Sequence, residues 1–434
     1  MAENSPNRPF TSHESISPSV VDGCDAVQKE PVRKSRESVF KLVNVSMNPS
    51  DCVVTAFQSD RISYVPTVIP KNNFLKLCRF AASGTLIGTT SADNSARIFG
   101  LTDGKKLSLK AKIPLGDAIY DMKWFSVKAE REIVATTAKH HPIHLWCEYG
   151  ARYATYRGIN HLDELAAAYS IEFSSDGTRL YAGYNSCIRI WETDRPGRQH
   201  TSIKTWGFFL YNFNEAVMLQ ISHPPEYKNT GGQKSIVSCI TMNNAFPGVY
   251  AVGTYDGNVG FYSDRTNSLE CMFPSESTGI TDIHYSYDGK LLFVALRKKN
   301  EILCYDMRMP GSLLYNMIRR FTTNQRTCFE IDSAARYLFS GTSDGELVVF
   351  DLGTEANMKF PVFSRKVADC SVPCVSIHEG EQPMVTLCTG ERVFPLPCLE
   401  ISSSSDTGSE SDETSYCERR YDDDLNNSLQ LWCF

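Results

Sequence analysis

The stretch FSSDGTRLYAGYNSCIRIW, residues 173–191, contains the pattern that repeats along this chain. A glycine turn follows the first aromatic residue, an alternating apolar run covers 179–182, and a polar turn at Asn185 precedes a second run that ends in Trp191. Asp176-Gly177 suits a tight hairpin, because glycine accepts a positive φ and aspartate bonds its own backbone. This order of strand and turn indicates a small antiparallel sheet, and no long helical periodicity interrupts it.

The same ending recurs throughout the chain. Short β-type runs close on a large aromatic residue at Phe99, Trp146, Trp191, Tyr262, Tyr305, Phe350 and Trp432. A polar turn lies six residues before each of the first six, at Asp93, His140, Asn185, Asp256, Lys299 and Asp344. The early intervals are 47 and 45 residues (99 to 146, 146 to 191), and two later ones are 43 and 45 (262 to 305, 305 to 350). A period of about 45 residues is what a four-stranded propeller blade needs.

We therefore predict an all-β fold, a seven-bladed WD40 β-propeller. A single blade cannot bury both faces of its sheet, so stability requires that neighbouring blades stack. The aromatic that ends each third strand is expected to pack between blades and to bury roughly 150–250 Å². The usual WD signature is eroded, since aspartate follows the aromatic only at Asp306 and Asp351.

The remaining sequence lies at the ends and in two insertions. Residues 1–62 are rich in Ser, Pro and Glu, and we predict a disordered N-terminal region before a propeller at 63–434. The insertions are 198–235, and an acidic, serine-rich segment at 396–427 within the last blade. The closing strand is expected at 429–434. It would pair with an N-terminal strand, for which the candidates are 52–57 and 62–65.

Composition limits the possible functions. The 434-residue chain has a formal net charge of −6, which excludes a globally basic nucleic-acid coat, so an RNA contact would need a local patch. Fifteen cysteines without a signal peptide indicate a reducing compartment, the cytosol or the nucleus. No run reaches the length of a transmembrane helix, so we expect no membrane contact.

The sequence lacks the motifs of common enzymes. It has no phosphate-binding loop, no HExxH zinc motif and no GxSxG motif in a plausible context, so we predict no enzymatic activity and no cofactor. The nearest approach to a metal site is Cys370, Cys374 and His378. Zinc would need a fourth ligand and tighter spacing, and alternation along a strand explains the pattern more simply, so we predict no metal.

A candidate binding face follows from the predicted fold. In a WD40 blade, the loops that enter the first strand and join the second to the third converge on one rim. In this chain those loops form a basic crescent with aromatic and amide side chains. The predicted RNA-binding residues are His161, Arg297, Lys298, Lys299, Asn324, Gln325, Arg326 and Arg392. Cations would contact phosphates, amides the base edges and aromatic rings the base faces. A generic protein-binding propeller would have a similar rim, so composition leaves both interpretations open.

The acidic insertion contains candidate phosphorylation sites. An acidic residue lies three positions after each of Ser403, Thr407, Ser409 and Ser415, a pattern that acidophilic kinases favour. Phosphates there would deepen the negative charge of the segment. The alternative is a solvated spacer without a regulatory role.

Several segments resemble one family closely. NFLK at 73–76, NHLDEL at 160–165, TTNQR at 322–326 and LQLWC at 429–433 are similar to the telomerase Cajal body protein 1 family. The resemblance implies a WD40 scaffold, not an enzyme, which recognises the Cajal body box of small Cajal-body RNAs and directs their ribonucleoproteins to the Cajal body of the nucleus.

The same resemblance implies the partners. These are small Cajal-body guide RNAs and their ribonucleoproteins, Cajal-body scaffold proteins, and telomerase RNA where it carries the box. The alternative is a generic WD40 protein-interaction scaffold that associates with RNA only through partner proteins.

Overall fold

A computed structural model describes residues 57–58, 73–102, 106–127, 131–207, 231–275, 278–380, 383–392 and 427–433. Within these ranges the chain is all β, and it contains no helix that could cross a membrane. Most of the region predicted to be disordered, 1–62, lies outside the described residues. The same holds for 393–426, and with it for Ser403, Thr407, Ser409 and Ser415.

The strands of the described residues are short. In chain order they are β1 (Phe57–Gln58), β2 (Leu75–Phe80), β3 (Leu86–Ser91), β4 (Ser95–Thr102), β5 (Lys106–Pro114), β6 (Ile119–Val127), β7 (Arg131–Ala138), β8 (Ile143–Cys147), β9 (Arg152–Tyr156), β10 (Ser170–Phe173), β11 (Arg179–Tyr184), β12 (Cys187–Glu192), β13 (Thr201–Lys204), β14 (Trp206–Gly207), β15 (Gly231–Gly232), β16 (Val237–Met242), β17 (Val249–Thr254), β18 (Asn258–Ser263), β19 (Ser268–Pro274), β20 (Ile280–Tyr285), β21 (Leu291–Leu296), β22 (Glu301–Asp306), β23 (Ser312–Ile318), β24 (Phe329–Ile331), β25 (Tyr337–Gly341), β26 (Glu346–Asp351), β27 (Met358–Lys359), β28 (Phe363–Lys366), β29 (Cys374–Glu379), β30 (Pro383–Cys388) and β31 (Ser428–Cys433).

These strands form seven blades, which confirms the predicted seven-bladed propeller. Blades 1 to 5 are β2–β5, β6–β9, β10–β13, β16–β19 and β20–β23; blade 6 is β24, β25, β26 and β28; blade 7 is β29, β30, β31 and β1. Strand β27 adds to the outer edge of blade 5 in parallel with β23, and β14 pairs with β15 in a two-stranded ribbon.

Blade 7 closes the ring with both ends of the chain. Phe57 pairs with Leu429 and Gln58 with Ser428, so the outer strand comes from the N-terminal side and the third strand from the C-terminal end. The N-terminal partner of the closing strand, Phe57–Gln58, therefore begins at the last residue of the first candidate segment, 52–57. The preceding connection, from Cys388 to Ser428, joins the second strand of the blade to the third and holds the acidic segment.

The residues between Trp191 and Tyr262 divide into two parts. Strand β13, inside the range predicted as an insertion, is the fourth strand of blade 3. The ribbon of β14 and β15 follows it, and residues 208–230 between them lie outside the described residues.

The aromatic residues that predicted the fold lie on the third strand of every blade. Trp191 and Tyr262 have no exposed surface, and Phe350 likewise is fully buried. Aromatic residues of the second strands also meet between blades: the rings of Tyr181 in blade 3 and Tyr250 in blade 4 lie 5.0 Å apart. The large third-strand side chains thus fill the space between adjacent sheets, where their burial stabilises the stack.

A closed ring of hydrogen bonds joins the inner strands, with at least one at each junction between neighbouring blades. From the junction of blades 7 and 1 onward, the donors and acceptors are Phe80 N–H to Ser376 Oγ (3.1 Å), Trp124 Nε1–H to the Arg79 carbonyl (2.9 Å), Ile171 N–H to Asp121 Oδ2 (3.0 Å), Ser170 Oγ–H to the Val237 carbonyl (2.9 Å), Ser238 Oγ–H to the Ile280 carbonyl (2.6 Å), Phe329 N–H to Asp282 Oδ2 (3.3 Å) and Ile377 N–H to Glu330 Oε2 (3.2 Å). Because buried donors need partners, these bonds fix the spacing of the blades around the axis.

Candidate nucleic-acid interface

One end of the propeller gathers the loops that lead into the first strands and the turns that join second to third strands. We call this end the upper rim, and the opening of the central channel there the mouth. Every predicted RNA-binding residue belongs to one of these loops or turns. The upper rim is therefore the candidate RNA-binding surface.

Bulges at the upper ends of the inner strands bring particular side chains to the mouth. In blades 1, 2, 4 and 5 one inner-strand residue is skipped by the pairing with the second strand. The skipped residues are Lys76, Tyr120, Ser238 and Thr281. A bulge redirects a side chain relative to its strand. Lys76 and Tyr120 are partly exposed at the mouth, whereas Ser238 and Thr281 are buried and hydrogen-bonded to the next blade.

The predicted cations of blade 5 lie together in one turn. The Arg297 N–H donates to the Gly279 carbonyl at 2.7 Å, and the Arg297 guanidinium lies 4.9 Å from the centroid of the Tyr255 ring. Lys298 has a φ of 58° and an exposed side chain, and Lys299 follows it, partly exposed. The cation–π contact anchors one end of a turn that presents three adjacent positive charges.

A second cationic group lies at the seam between blades 7 and 1. Arg392 is exposed just after β30, and its charge, together with the larger effect of burial, lowers the pKa of Lys76. The Lys76 ammonium lies 6.0 Å from the centroid of the Phe74 ring. Two positive side chains from opposite ends of the chain therefore share one part of the mouth.

The loop 322–326 contributes less to the solvent-facing surface than the sequence suggested. Asn324 is exposed. The amide of Gln325 is engaged within the protein: Nε2 donates to the Gly390 carbonyl at 3.4 Å, and Oε1 accepts a hydrogen bond from Ser371 Oγ at 3.1 Å. Gln325 thus ties the loop to blade 7.

Arg326 crosses the channel instead of facing solvent. Its Nη1 lies 3.3 Å from Asp121 Oδ1 and donates to the Tyr120 carbonyl at 3.1 Å, while Nε donates to the Thr281 carbonyl at 3.3 Å. Burial alone would lower the pKa of Arg326, but the nearby negative groups, Asp121 foremost, raise it well above its usual value. The sequence predicts a phosphate contact for Arg326, whereas the structure gives this side chain internal partners.

The predicted histidine lies at the tip of a separate loop. His161 is exposed in the connection between blades 2 and 3, away from the blade 5 turn. Asn160 organises this loop, because its Oδ1 accepts hydrogen bonds from the N–H groups of Leu162 and Glu164, both at 2.9 Å. An exposed ion pair joins Asp163 to Arg198 at 3.2 Å. The hydrogen bonds of Asn160 therefore give this residue of the NHLDEL segment a structural role within its own loop.

Aromatic residues occupy the side of the mouth formed by blades 2 to 4. The rings of Tyr120 and Tyr169 lie 5.1 Å apart between centroids, with planes inclined at 36°, and both side chains are partly exposed. Burial raises the pKa of the Tyr120 hydroxyl, and the neighbouring Tyr169, Asp117 and Tyr255 add to this effect. Tyr120 and Tyr169 were missed by the sequence analysis, because they appear there only as residues bordering apolar strands.

The acidic residues of the rim have cationic or polar neighbours. Arg97 Nη2 donates to Asp93 Oδ2 at 2.5 Å. Burial alone would raise the pKa of Asp93, but the hydrogen bonds that its carboxylate accepts lower it. Asp344 lies 3.5 Å from Arg320. Asp93 and Asp344 are thus partly neutralised within the protein, and each of these ion pairs also engages one positive side chain.

The structure offers no metal centre among the residues it describes: no group of three or more His, Cys, Asp or Glu side chains there could hold an ion. Cys374 and His378 lie on the same strand, β29, and the His378 ring packs 5.7 Å from the Phe80 ring.

Comparison with known proteins fits this architecture. The model of the WD domain, G-beta repeat, matches residues 159–192. The chain is 33% identical over 354 residues to telomerase Cajal body protein 1 of Rattus norvegicus, covering 77% of this chain and 62% of the relative. It is 34% identical over 355 residues to telomerase Cajal body protein 1 of Homo sapiens, covering 78% and 60%. The chain belongs to the telomerase Cajal body protein 1 family.

More distant members extend the comparison. The telomerase Cajal body protein 1 homolog of Drosophila melanogaster is 30% identical over 310 residues, which cover 69% of this chain and 48% of the homolog. The chain spans somewhat less than two thirds of the length of the rat and human relatives.

Proposed function

We propose that this chain is an RNA-binding scaffold that recognises the Cajal body box of small Cajal-body RNAs and directs their ribonucleoproteins to Cajal bodies in the nucleus. Telomerase RNA would be a further cargo where it carries the box. The names of the relatives associate them with telomerase and with Cajal bodies. We infer that the propeller of this chain contacts the RNA directly.

One observation carries the proposal: tyrosines and most of the predicted cations are grouped on different sides of the mouth. Tyr120, Tyr169 and Tyr255 lie on blades 2 to 4, and the cationic turn of blade 5 and Arg392 of blade 7 lie on the other side, while Lys139 is an exposed cation in the turn of blade 2. Single-stranded RNA offers a complementary pair of surfaces, with base faces on one side of the backbone and phosphates on the other. A strand lying across the mouth would use both surfaces.

The strength of the electrostatic contribution follows from the number of cations. Arg297, Lys298, Lys299 and Arg392 are the predicted phosphate contacts that retain exposed or partly exposed side chains. Each contact with single-stranded RNA contributes about −0.7 to the slope of log affinity against log salt concentration. Three or four contacts therefore predict a slope of roughly −2 to −3.

Direct binding to a purified RNA tests the proposal. We expect a fluorescently labelled stem-loop with a Cajal body box to bind the purified protein with that slope. Reversing the charge of Lys298 and Lys299 together, K298E with K299E, should weaken binding and make the slope less steep by about 1.4. Lys290→Glu is the matched control, since Lys290 is an exposed lysine of the same blade on the opposite rim.

Two outcomes would contradict the proposal. Unchanged affinity of the K298E/K299E protein would remove the blade 5 turn from the interface. Absence of binding by the folded wild-type protein, combined with retention of RNA when partner ribonucleoproteins are added, would favour the protein-interaction scaffold.

A further inference from the structure

The tyrosine pair at the mouth has a geometry that a core packing role does not require. Tyr120 and Tyr169 come from neighbouring blades, and their rings meet at 5.1 Å while both keep partly exposed surface. Tyr120 is the unpaired residue of the bulge in β6, between Ile119 and Asp121. A bulge at this point redirects the ring from the sheet face toward the mouth.

A buried ion pair adjoins the tyrosine pair. Asp121 follows Tyr120 in β6 and pairs with Arg326, whose Nε donates to the Thr281 carbonyl of blade 5. The backbone that carries the Tyr120 ring is therefore tied to the opposite side of the channel.

We propose that Tyr120 and Tyr169 form the platform on which one unstacked base of single-stranded RNA binds, and that Arg326 is the positioning residue that holds this platform. The inference rests on the proposed function and specifies its ligand. A base within a duplex is stacked on both faces and is unable to use the platform, so the ligand is a loop or bulge nucleotide.

Arg326 acts on the platform through the backbone. Its Nη1 donates to the carbonyl of Tyr120 itself, and its Nε donates to Thr281 in the blade that also carries Arg297. Arg326 therefore fixes the distance between the aromatic and the cationic halves of the mouth. Since its side chain is largely buried and paired with Asp121, it makes no phosphate contact.

Base stacking is measured with an RNA that carries 2-aminopurine in the Cajal body box, scanned one position at a time. Stacking on tyrosine should quench 2-aminopurine fluorescence at one position when wild-type protein binds. Tyr169→Ala should abolish that quenching and weaken binding about 5- to 150-fold, with the salt slope unchanged. Tyr169→Phe keeps the aromatic face and should behave as wild type. Tyr153→Ala, an exposed tyrosine on the outer strand of blade 2, is the matched control.

Arg326 is distinguished from a phosphate contact by the salt slope. Arg326→Gln should lose the quenching with no change of slope, whereas loss of a phosphate contact would make the slope less steep by about 0.7. If Arg326→Gln fails to fold, Arg326→Lys retains the charge for Asp121 but is unable to donate to both carbonyls in the same geometry, and it should show the same loss. A less steep slope, or full quenching in a folded Arg326 variant, would overturn the positioning role.

Different results would contradict the tyrosine platform and the RNA-binding function. If wild-type protein binds RNA with the expected slope but Tyr169→Ala binds and quenches as wild type does, the platform is wrong and the RNA-binding function stands. If wild-type protein binds none of the RNAs, both are wrong.

Discussion

Arg326 and Asp121 form an ion pair across the propeller, with Nη1 3.3 Å from Oδ1, although one precedes the inner strand of blade 6 and the other lies on that of blade 2. The second carboxylate oxygen of Asp121 accepts the N–H of Ile171 in blade 3 at 3.0 Å. One buried carboxylate therefore joins elements of three blades beneath the mouth. This arrangement couples the stability of the ring to the geometry of the candidate site.

Removal of the carboxylate should destabilise the fold strongly. Asp121→Ala leaves the Arg326 guanidinium buried without its main counter-charge, which typically costs about 3–5 kcal/mol of unfolding free energy. Chemical denaturation measures the change. Arg198→Ala removes one partner of the exposed pair with Asp163 and should cost less than about 1 kcal/mol. Equal effects of the two substitutions would contradict the structural role of Asp121.

The two amides of the 322–326 loop should behave differently on substitution. Gln325→Ala deletes the contacts to Ser371 and Gly390, and we expect the unfolding free energy to fall by about 1–2 kcal/mol. Asn324→Ala alters an exposed side chain and should change stability by less than about 0.5 kcal/mol. Thermal denaturation of both variants checks this order, and a larger loss for Asn324→Ala would contradict it.

Deletion of the last seven residues, Ser428 to Phe434, should open the ring. The deletion removes β31, and with it the buried Leu429, Leu431 and Trp432 and the partner of β1. Each large apolar side chain contributes about 1.5–3 kcal/mol, so the combined loss exceeds about 4 kcal/mol. Limited proteolysis and thermal denaturation report the result. Trp432→Phe, which keeps the strand, is the control and should remain folded.

His144 should make stability depend on pH in the acidic range. Burial, with the positive charges of Arg152, His141 and Arg157, lowers the pKa of His144 to about 4. The folded state therefore favours the neutral ring, and this contribution is complete above the unfolded pKa of about 6.5 and is lost as pH falls toward 4. Denaturation at pH 7 and pH 4.5 should show a smaller pH-dependent loss for His144→Asn than for wild type. Identical pH dependence would contradict the assignment.

The fold was predictable from local sequence because each blade repeats a local rule. The third-strand aromatics and the polar turns six residues before them are set by hairpin geometry and by interblade packing, and both act over short stretches of chain. Trp191, Tyr262 and Phe350 are buried where that rule places them. The grouping of Arg297, Lys298 and Lys299 in one exposed turn followed for the same reason.

The rest of the site depends on contacts between distant parts of the chain. Arg326 appeared as an ordinary loop cation, since its partner Asp121 belongs to another blade. Tyr120 looked like a strand residue, because a bulge that redirects a single side chain has no signature in the apolar pattern. The sequence around Gln325 likewise does not indicate that its amide forms hydrogen bonds with Ser371 and Gly390, which lie far along the chain.

The most direct test of RNA recognition is crosslinking of RNA to the protein in cells, followed by sequencing of the recovered RNA and mapping of the crosslinked residues. We predict enrichment of small Cajal-body RNAs, crosslinks at a shared loop element, and protein contacts at the mouth that the K298E/K299E protein loses. Recovery of no RNA class above background with the folded protein, or crosslinks confined to the opposite rim, would contradict direct RNA recognition at the mouth.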